Sequence, residues 1–246
     1  MSKERLDKLL VKRGLVESRE KAQAMIMAGQ VYVNGERVDK AGHKVPVEAD
    51  IQIKGRLPFV SRGGLKLAHA LTHFGLNVKG LVCADIGAST GGFTDCLLQA
   101  GAQKVYAIDV GKGQLHYKLR SDPRVVVFEE VNARYLTEKD LPEPVDLITI
   151  DVSFISLTKI LPAALRILKP GGKIVALIKP QFEVGRNKVG RGGVVRDPAL
   201  HQEAIKKIED FATKELNLKS YGVIESPILG PAGNKEFLIL LAKTDS

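Results

Sequence analysis

Hydrophobic residues at helical spacing open the chain. Leu6, Leu9 and Leu10 share one side of a helix that the pattern predicts over residues 5–13. Gly14 follows at once, and glycine is the residue type best suited to the left-handed cap that ends a helix. We therefore expect a short amphipathic helix at the front of the chain.

The pattern then changes from helical spacing to alternation. Ser18 is a good N-cap for a second helix over 19–28, and residues 31–33 alternate as a strand. Asn34-Gly35 favours positive φ at both central positions of a turn, so it predicts a tight hairpin. Residues 45–53 are expected to complete one small sheet, which closes a compact α+β unit.

Short apolar strands alternate with helices through the rest of the chain. The strands are predicted over 81–87, 104–110, 145–150, 173–178 and 237–242, and the helices over 63–74, 93–100 and 159–169. Such alternation predicts an α/β fold: a parallel, doubly wound, Rossmann-like sheet with helices on both faces and ligands at the carboxyl ends of its strands. The expected organisation is a small domain over 1–55, a linker over 56–61 and a larger domain over 62–246.

The net charge of the chain indicates the chemical class of a candidate partner. The chain has 246 residues and a net charge of +9, and its first 60 residues carry 12 Lys and Arg against 8 Asp and Glu. A positive surface favours an anionic partner, most often nucleic acid, although a solvated helix surface explains the same charges. The front cations predicted to contact RNA are Arg5, Lys12, Arg13, Arg19 and Lys21.

Other features exclude several classes of protein. Two cysteines, Cys83 and Cys96, are too few for a disulfide scaffold or a Cys-rich metal site, so no metal is expected. The charged start lacks a signal peptide's apolar core, and no stretch approaches the length of a membrane span. We therefore expect a cytoplasmic protein that needs neither a membrane nor, from its sequence, a protein partner.

The segment after the strand over 81–87 resembles a nucleotide-binding turn, but its spacing excludes the dinucleotide fingerprint. Gly87 and Gly91 are four residues apart, and Asp109 follows Gly87 by 22 residues, where it could accept both ribose hydroxyls of a cofactor. Carboxylates such as Asp85 suit the ammonium and sulfonium charges of S-adenosylmethionine better than the diphosphate of NAD. The predicted cofactor-binding residues are Asp85, Gly87, Ala88, Ser89, Gly91, Gly92, Phe93, Asp109, Asn132 and Asp151.

Two features that the sequence lacks narrow the chemical class of the methyl acceptor. Cytosine-C5 methylation needs a nucleophilic cysteine, and both cysteines lie inside predicted elements. The Asp/Asn-Pro-Pro-aromatic motif of exocyclic-amine methylation is replaced by Asp151-Val-Ser-Phe. Asp151 instead stands opposite Lys179 at the predicted ends of two strands, and two further polar side chains, Lys66 and Glu236, are able to converge there.

These motifs resemble known families. Residues 5–35 resemble the S-four-type RNA-binding domain, and the set Lys66, Asp151, Lys179 and Glu236 resembles the K-D-K-E tetrad of FtsJ-like ribose 2′-O-methyltransferases. The two domains together resemble the TlyA family, often labelled haemolysin-like, over essentially the entire chain. The resemblance implies S-adenosylmethionine-dependent methylation of a ribose 2′-OH, on cytidine, in ribosomal RNA or ribosomal subunits. It also implies that Lys179 is the base or hydroxyl-positioning group, with Asp151 and Glu236 as orienting carboxylates.

A glycine-rich basic segment follows Lys179. Residues 185–196 contain no acid, and we expect a mobile loop that closes over RNA backbone, with a disordered surface loop as the alternative. Its predicted RNA contacts, with one from the linker region, are Arg62, Arg186, Lys188 and Arg191. Two other functions stay open: an RNA-binding ribosome assembly factor without methyl transfer, and a membrane-active haemolysin.

Overall fold

The structure is a computed structural model that describes residues 2–16, 18–55 and 57–245. The chain folds as two compact units, Met1–Arg62 and Gly63–Ser246. Each unit is built on its own sheet system and its own core.

The described residues of the front unit, 2–16, 18–55 and 57–62, form two helices and five short strands. In chain order these are β1 (Lys3–Arg5), α1 (Leu6–Lys12), α2 (Arg19–Met27), β2 (Val31–Val33), β3 (Glu36–Arg37), β4 (Lys44–Pro46) and β5 (Ile51–Ile53). Ser18 caps α2 as predicted, because its side chain accepts a hydrogen bond from Lys21 N at 3.2 Å. The predicted hairpin is also present, with positive φ at Asn34 and Gly35.

The front sheet differs from the prediction in two ways. The segment 45–53 forms two strands rather than one, because a turn closed by Ala49 N and Pro46 O separates β4 from β5. β4 pairs with β1 and β5 pairs with β2, so the unit has two sheets. Arg5 lies in β1 with extended φ and ψ, so the first helix begins one residue later than expected.

The second unit contains the larger sheet. Its elements are α3 (Gly63–His73), β6 (Val82–Ile86), α4 (Gly92–Gln99), β7 (Lys104–Ile108), α5 (Tyr117–Arg120), β8 (Val125–Phe128), β9 (Val145–Ile150), α6 (Leu157–Ile167), β10 (Leu168–Ile178), α7 (Pro180–Glu183), α8 (Pro198–Asp210), β11 (Lys219–Glu225) and β12 (Phe237–Ala242). Every residue of β6 and of β12 is buried, which is the burial expected of strands covered on both faces.

The large sheet is mixed rather than wholly parallel. Its order is β11-β12-β10-β9-β6-β7-β8, and β12 runs antiparallel to both of its neighbours. The prediction of a parallel sheet was therefore wrong at this edge, because β11 and β12 follow one another as an antiparallel pair. This reversal has a consequence for the site: Phe237, the first residue of β12, pairs with Ile178, the last residue of β10.

Candidate active site

Four predicted positions directly follow strands of the large sheet. Gly87, Asp109, Asp151 and Lys179 come after β6, β7, β9 and β10, which are parallel to one another. Their carboxyl ends therefore lie along one edge of the sheet. Glu236 joins that edge from the opposite chain direction, because it immediately precedes β12.

Gly87 allows two of these strand ends to approach closely. Its φ is +80°, and a Cβ atom built on it would lie 2.0 Å from the backbone oxygen of Asp151. Any side chain at this position would separate the two loops. The glycine thus serves the packing of Asp151 as well as the turn itself.

A cavity of about 480 Å³ opens at this edge. Apolar side chains form much of its wall, and the carboxylates of Asp109 and Asp151 border it. Its full lining is Ile86, Gly87, Ser89, Ile108, Asp109, Val110, Gln114, Val131, Asn132, Ala133, Asp151, Val152, Ser153, Phe154, Ile155 and Ile160. The volume lies within the range of small-molecule sites.

Asp109 ties two of the lining loops together. Its Oδ2 accepts a hydrogen bond from Ser89 N, and its Oδ1 accepts one from Gly111 N, both at 2.7 Å. Each carboxylate oxygen has a second lone pair, so the side chain can also accept from two hydroxyl groups of a ligand. This wall carries two carboxylates and no Lys or Arg, so it fits an adenosine ribose and a cationic tail and disfavours a pyrophosphate.

Half of the predicted cofactor-binding residues line the cavity: Gly87, Ser89, Asp109, Asn132 and Asp151. The structure places the other half outside the lining: Asp85, Ala88, Gly91, Gly92 and Phe93.

Packing explains these placements. Gly91 has a φ of +104°, and a Cβ there would lie 2.2 Å from the Leu119 side chain, so this glycine serves the packing of α5. Phe93 is buried in the core.

Asp85 lies beneath the loop rather than in the cavity. Its carboxylate is fully buried and accepts hydrogen bonds from Thr94 Oγ1 at 2.8 Å and Thr149 Oγ1 at 3.2 Å. Burial raises its pKa to about 7, and the charge of nearby Asp151 adds to the increase, while the two threonine hydroxyls oppose it. Asp85 therefore links β6, α4 and β9, and its contacts are within the protein.

The four tetrad positions form two lysine–carboxylate pairs. Lys179 Nζ lies 2.6 Å from Asp151 Oδ1 and donates a hydrogen bond to Ser153 Oγ at 3.0 Å. Lys66 donates to Glu236 Oε1. Both ammonium groups are buried, unlike the usual solvated lysine.

The chain backbone closes tightly around Glu236. A Cβ atom on Gly230 would lie 2.4 Å from its Oε1, and its Oε2 has no hydrogen-bond partner among the described residues. A buried acceptor without a partner costs free energy, and such groups are found more often at functional sites than elsewhere. Glu236 is therefore held in place by shape as well as by Lys66.

Cys83 and Cys96 are both buried. Burial raises the pKa of the Cys83 and Cys96 thiols to about 12, so neither is a thiolate near neutral pH. Within residues 2–16, 18–55 and 57–245, no group of His, Cys, Asp and Glu side chains is arranged to hold a metal ion. In the same part of the chain, no helix has the length and apolarity that crossing a bilayer requires.

The basic segment after α7, residues 185–196, is anchored to the rest of the second unit, unlike the disordered surface loop that was the alternative expectation. Val194 and Val195 are buried. The amide of Asn234 accepts from Val195 N at 3.0 Å and donates to Gly193 O at 2.9 Å, which ties the segment to the turn before Glu236. Of its predicted RNA contacts, Arg186 and Arg191 are exposed, and Lys188 pairs with Glu203 at 2.6 Å.

The front cations are arranged around one buried carboxylate. Asp7 accepts hydrogen bonds from Arg5 and Arg19 at 3.0 Å and from Gln23 at 2.8 Å. The Arg5 guanidinium holds the pKa of this carboxyl well below its usual range, although burial opposes that decrease. The arginine side chains themselves remain partly exposed.

The other residues of the front unit that are predicted to contact RNA have different neighbours. Arg13 donates to the backbone oxygens of Val47 and Ala49, so it also holds the β4–β5 turn. Lys12 pairs with Glu4 at 3.4 Å, and Lys21 is exposed on α2. Arg62 Nη1 lies 3.9 Å from Met27 Sδ.

Sequence reasoning missed three residues that hold the active edge together: Ser153, Glu183 and Asn234. Ser153 stands within the quoted motif Asp151-Val-Ser-Phe, and Glu183 directly follows Ile178-Lys-Pro-Gln-Phe182. Both were therefore close to recognised positions. Nothing in the sequence signals Asn234, whose partners are backbone groups 39 and 41 residues away.

Comparison with known proteins decides the family. The model of FtsJ-like methyltransferases matches residues 59–243, and the model of the S4 domain matches residues 4–51. The chain belongs to the TlyA/haemolysin A family of FtsJ-like methyltransferases. It is thus a member of a family of S-adenosylmethionine-dependent enzymes.

Relatives match this family member over nearly their whole length. The chain is 46% identical to the 16S/23S rRNA (cytidine-2′-O)-methyltransferase TlyA of Mycobacterium tuberculosis, covering 98% of this chain and 91% of that protein. It is 46% identical to haemolysin A of Brachyspira hyodysenteriae, covering 95% and 98%. A solved haemolysin-like structure from Streptococcus thermophilus is 49% identical, covers 100% of this chain and 90% of its own, and superposes with a TM-score of 0.78.

Proposed function

We propose that this protein transfers a methyl group from S-adenosylmethionine to the 2′-OH of a cytidine ribose in ribosomal RNA. The observation that carries the proposal is the pair of buried lysine–carboxylate contacts at the edge of the sheet where the cavity opens, Lys179 with Asp151 and Lys66 with Glu236. The likeness to the M. tuberculosis TlyA protein supports the choice of cytidine and of ribosomal RNA. A cytoplasmic location remains a prediction.

The cavity offers what the cofactor needs. Asp109 would accept hydrogen bonds from its ribose hydroxyls, Asn132 and the apolar wall would border its adenine, and Asp151 would face its cationic end. When bound, S-adenosylmethionine supplies an electrophilic methyl group on a sulfonium. The remaining residues Asp85, Gly91 and Phe93 would act by shaping the loop from beneath, since their side chains or backbone pack within the protein.

Lys179 would hold the acceptor oxygen. Its ammonium has three N–H donors, and Asp151 and Ser153 account for two of them. The third is available to a ribose hydroxyl: a charged Lys179 donates to the oxygen and orients it, and a neutral one accepts its proton. Because in-line transfer depends on alignment, the carboxylate of Asp151 contributes by fixing the direction of the lysine.

Lys66 would contact the same acceptor nucleotide. It is held by Glu236 at the start of β12, so its position is coupled to the sheet edge rather than to a loop alone. We assign it to the 2′-oxygen or the adjacent phosphate. The exposed cations of the S4 domain and of the basic segment would bind RNA backbone.

The test uses purified protein, methyl-labelled S-adenosylmethionine, and unmodified ribosomal subunits or their stripped RNAs. After digestion, a ribose 2′-O-methyl group makes the adjoining linkage resistant to alkali, and mass spectrometry identifies the nucleoside. The proposal expects label on the ribose of a cytidine. Label on a base would overturn the acceptor assignment, and tight RNA binding without label would indicate an assembly factor.

A further inference from the structure

Glu183 is a buried acid that the proposed chemistry does not use. It lies at the end of α7, four residues after Lys179, and its side chain is almost wholly buried. A buried carboxylate needs hydrogen-bond donors or a cation, and the identity of its partners shows what it holds in place.

The partners of Glu183 lie on the loop that carries Asp151. Its Oε2 accepts from Ser156 Oγ at 2.6 Å, and its Oε1 accepts from the backbone nitrogen of Leu157 at 2.9 Å. Ser156 is the N-cap of α6, and Leu157 is the first residue of that helix. Glu183 therefore places a carboxylate at the N-terminus of a helix from a neighbouring strand's loop, an arrangement that the helix dipole favours.

The segment after β9, from Asp151 to Leu157, and the segment after β10, from Lys179 to Glu183, are thus joined at two points. Near their beginnings, Lys179 contacts Asp151 and Ser153. Near their ends, Glu183 contacts Ser156 and Leu157. The residues from Ser153 to Ser156 are therefore held at both ends by hydrogen bonds. Their freedom to move relative to Lys179 is restricted.

A lysine holds Glu183 from the outside. Lys207, on α8, donates to Glu183 Oε2 at 3.1 Å and to its backbone oxygen at 2.9 Å. This cation is about two-fifths exposed, whereas the Glu183 side chain is 2% exposed. Because the backbone oxygen is also bound, Lys207 fixes the end of α7 even when the carboxylate is altered.

We propose that Glu183 is a positioning residue that sets the distance between Lys179 and Asp151, and that it acts on the rate of methyl transfer more than on the binding of either substrate. The inference rests on the proposed function. It assigns no contact between Glu183 and the cofactor or RNA. Its effect reaches the reaction through the loop 151–156 and through the short helix that follows Lys179.

The test measures kcat, KM for RNA and cofactor affinity separately. Glu183→Ala removes the hydrogen bonds from Ser156 and Leu157 and the side-chain contact with Lys207. A displacement of about 1 Å in a reacting group can lower a rate by about 100-fold. We expect such a loss in kcat, with KM for RNA within about twofold of wild type and a loss of affinity for S-adenosylmethionine that is much smaller than the loss of rate, since the same loop lines the cavity. Equal losses of kcat and cofactor affinity would overturn the proposal, since they would indicate a general disturbance of the site.

Two further variants separate positioning from folding. Glu183→Gln keeps an oxygen for Leu157 N and an amide for Ser156, while Lys207 keeps its bond to the backbone, so this variant should recover most of the lost rate. Ile208→Val removes a methyl group from a buried position on α8 and serves as the destabilised control, with wild-type kcat expected. A Glu183→Gln variant as slow as Glu183→Ala would also contradict the proposal.

The outcomes distinguish this inference from the proposed function. Absence of ribose methylation by the wild-type protein would refute the proposed function itself. Wild-type activity with an unchanged kcat in a folded Glu183→Ala variant would refute only the positioning role. Where Glu183→Ala does not fold, Ser156→Ala removes one of the two bonds, and we expect kcat to fall about tenfold; an unchanged kcat there would overturn the proposal.

Discussion

The two units of the chain both pair cations with carboxylates, but they differ in whether the cation is buried. In the front unit the carboxylate of Asp7 is fully buried, while the side chains of Arg5 and Arg19 are 39% and 47% exposed. In the second unit the cations themselves are buried, at 9% for Lys66 and 8% for Lys179. The same ion-pair chemistry therefore supports two different tasks.

The difference follows from the group that each set of cations is proposed to bind. An RNA backbone is a large polyanion, and exposed guanidinium groups oriented by a buried acid can contact several of its phosphates. A single hydroxyl needs one donor or acceptor at a fixed point, and buried lysines between carboxylates give that precision. On this account, loss of a front cation changes binding, and loss of a buried lysine changes the reaction.

The largest effect is expected from breaking the innermost pair. Lys66→Ala leaves Glu236 buried without its cation, which should cost about 3 kcal/mol of unfolding free energy and lower Tm by roughly 6–12 °C. Thermal denaturation followed by circular dichroism measures this, together with loss of methyl transfer.

A double variant separates stability from function at this pair. Lys66→Met with Glu236→Leu removes both charges and should regain most of the stability without regaining activity. If Lys66→Ala were as stable as wild type, the buried pair would not have the energetic role described here.

A smaller effect, and a different one, is expected from the front unit. Arg19→Ala should raise KM for RNA several-fold, reduce the slope of log affinity against log salt by about one, and leave kcat unchanged. Filter binding across a salt series, with turnover at saturating RNA, measures both quantities. A change in kcat without a change in RNA affinity would break the division between the two units.

The smallest effect concerns Asp85, whose pKa is raised to about 7 against an unfolded value of about 4. The folded state binds the extra proton between these values, so the group favours folding at low pH and the free energy of unfolding falls as pH rises from about 4 to 7. Asp85→Asn removes that dependence. Its Tm relative to wild type should therefore be a few degrees higher at pH 8 than at pH 5, and an equal difference at both would contradict the assignment.

The site was predictable wherever chemistry and strand ends coincide in the sequence. Asp109, Asp151 and Lys179 each follow an apolar run, and parallel strands bring such positions to one edge. Glu236 lies at the predicted edge of the sheet because β12 runs antiparallel to β10. That strand direction was not predicted. Local pattern does not state strand direction, which depends on how distant segments pair.

The remaining differences have a common cause. Gly91 and Phe93 belong to a glycine-rich loop whose composition indicates a ligand, yet their neighbours in space are Leu119 and the core. The basic segment 185–196 is polar by composition, yet Asn234 and two valines anchor it. In each case the deciding contact comes from a residue distant in sequence, which periodicity and composition do not reveal.

The most direct test of the account is single-turnover methyl transfer by Lys179→Ala, with cofactor affinity measured on the same preparation. We expect transfer to fall by about 10²–10⁴-fold, because the group that orients the hydroxyl or accepts its proton is lost, while affinity for S-adenosylmethionine changes by less than about twofold. Transfer at the wild-type rate would contradict the role assigned to Lys179. So would a loss of cofactor affinity as large as the loss of rate, because Lys179 would then belong to the cofactor site.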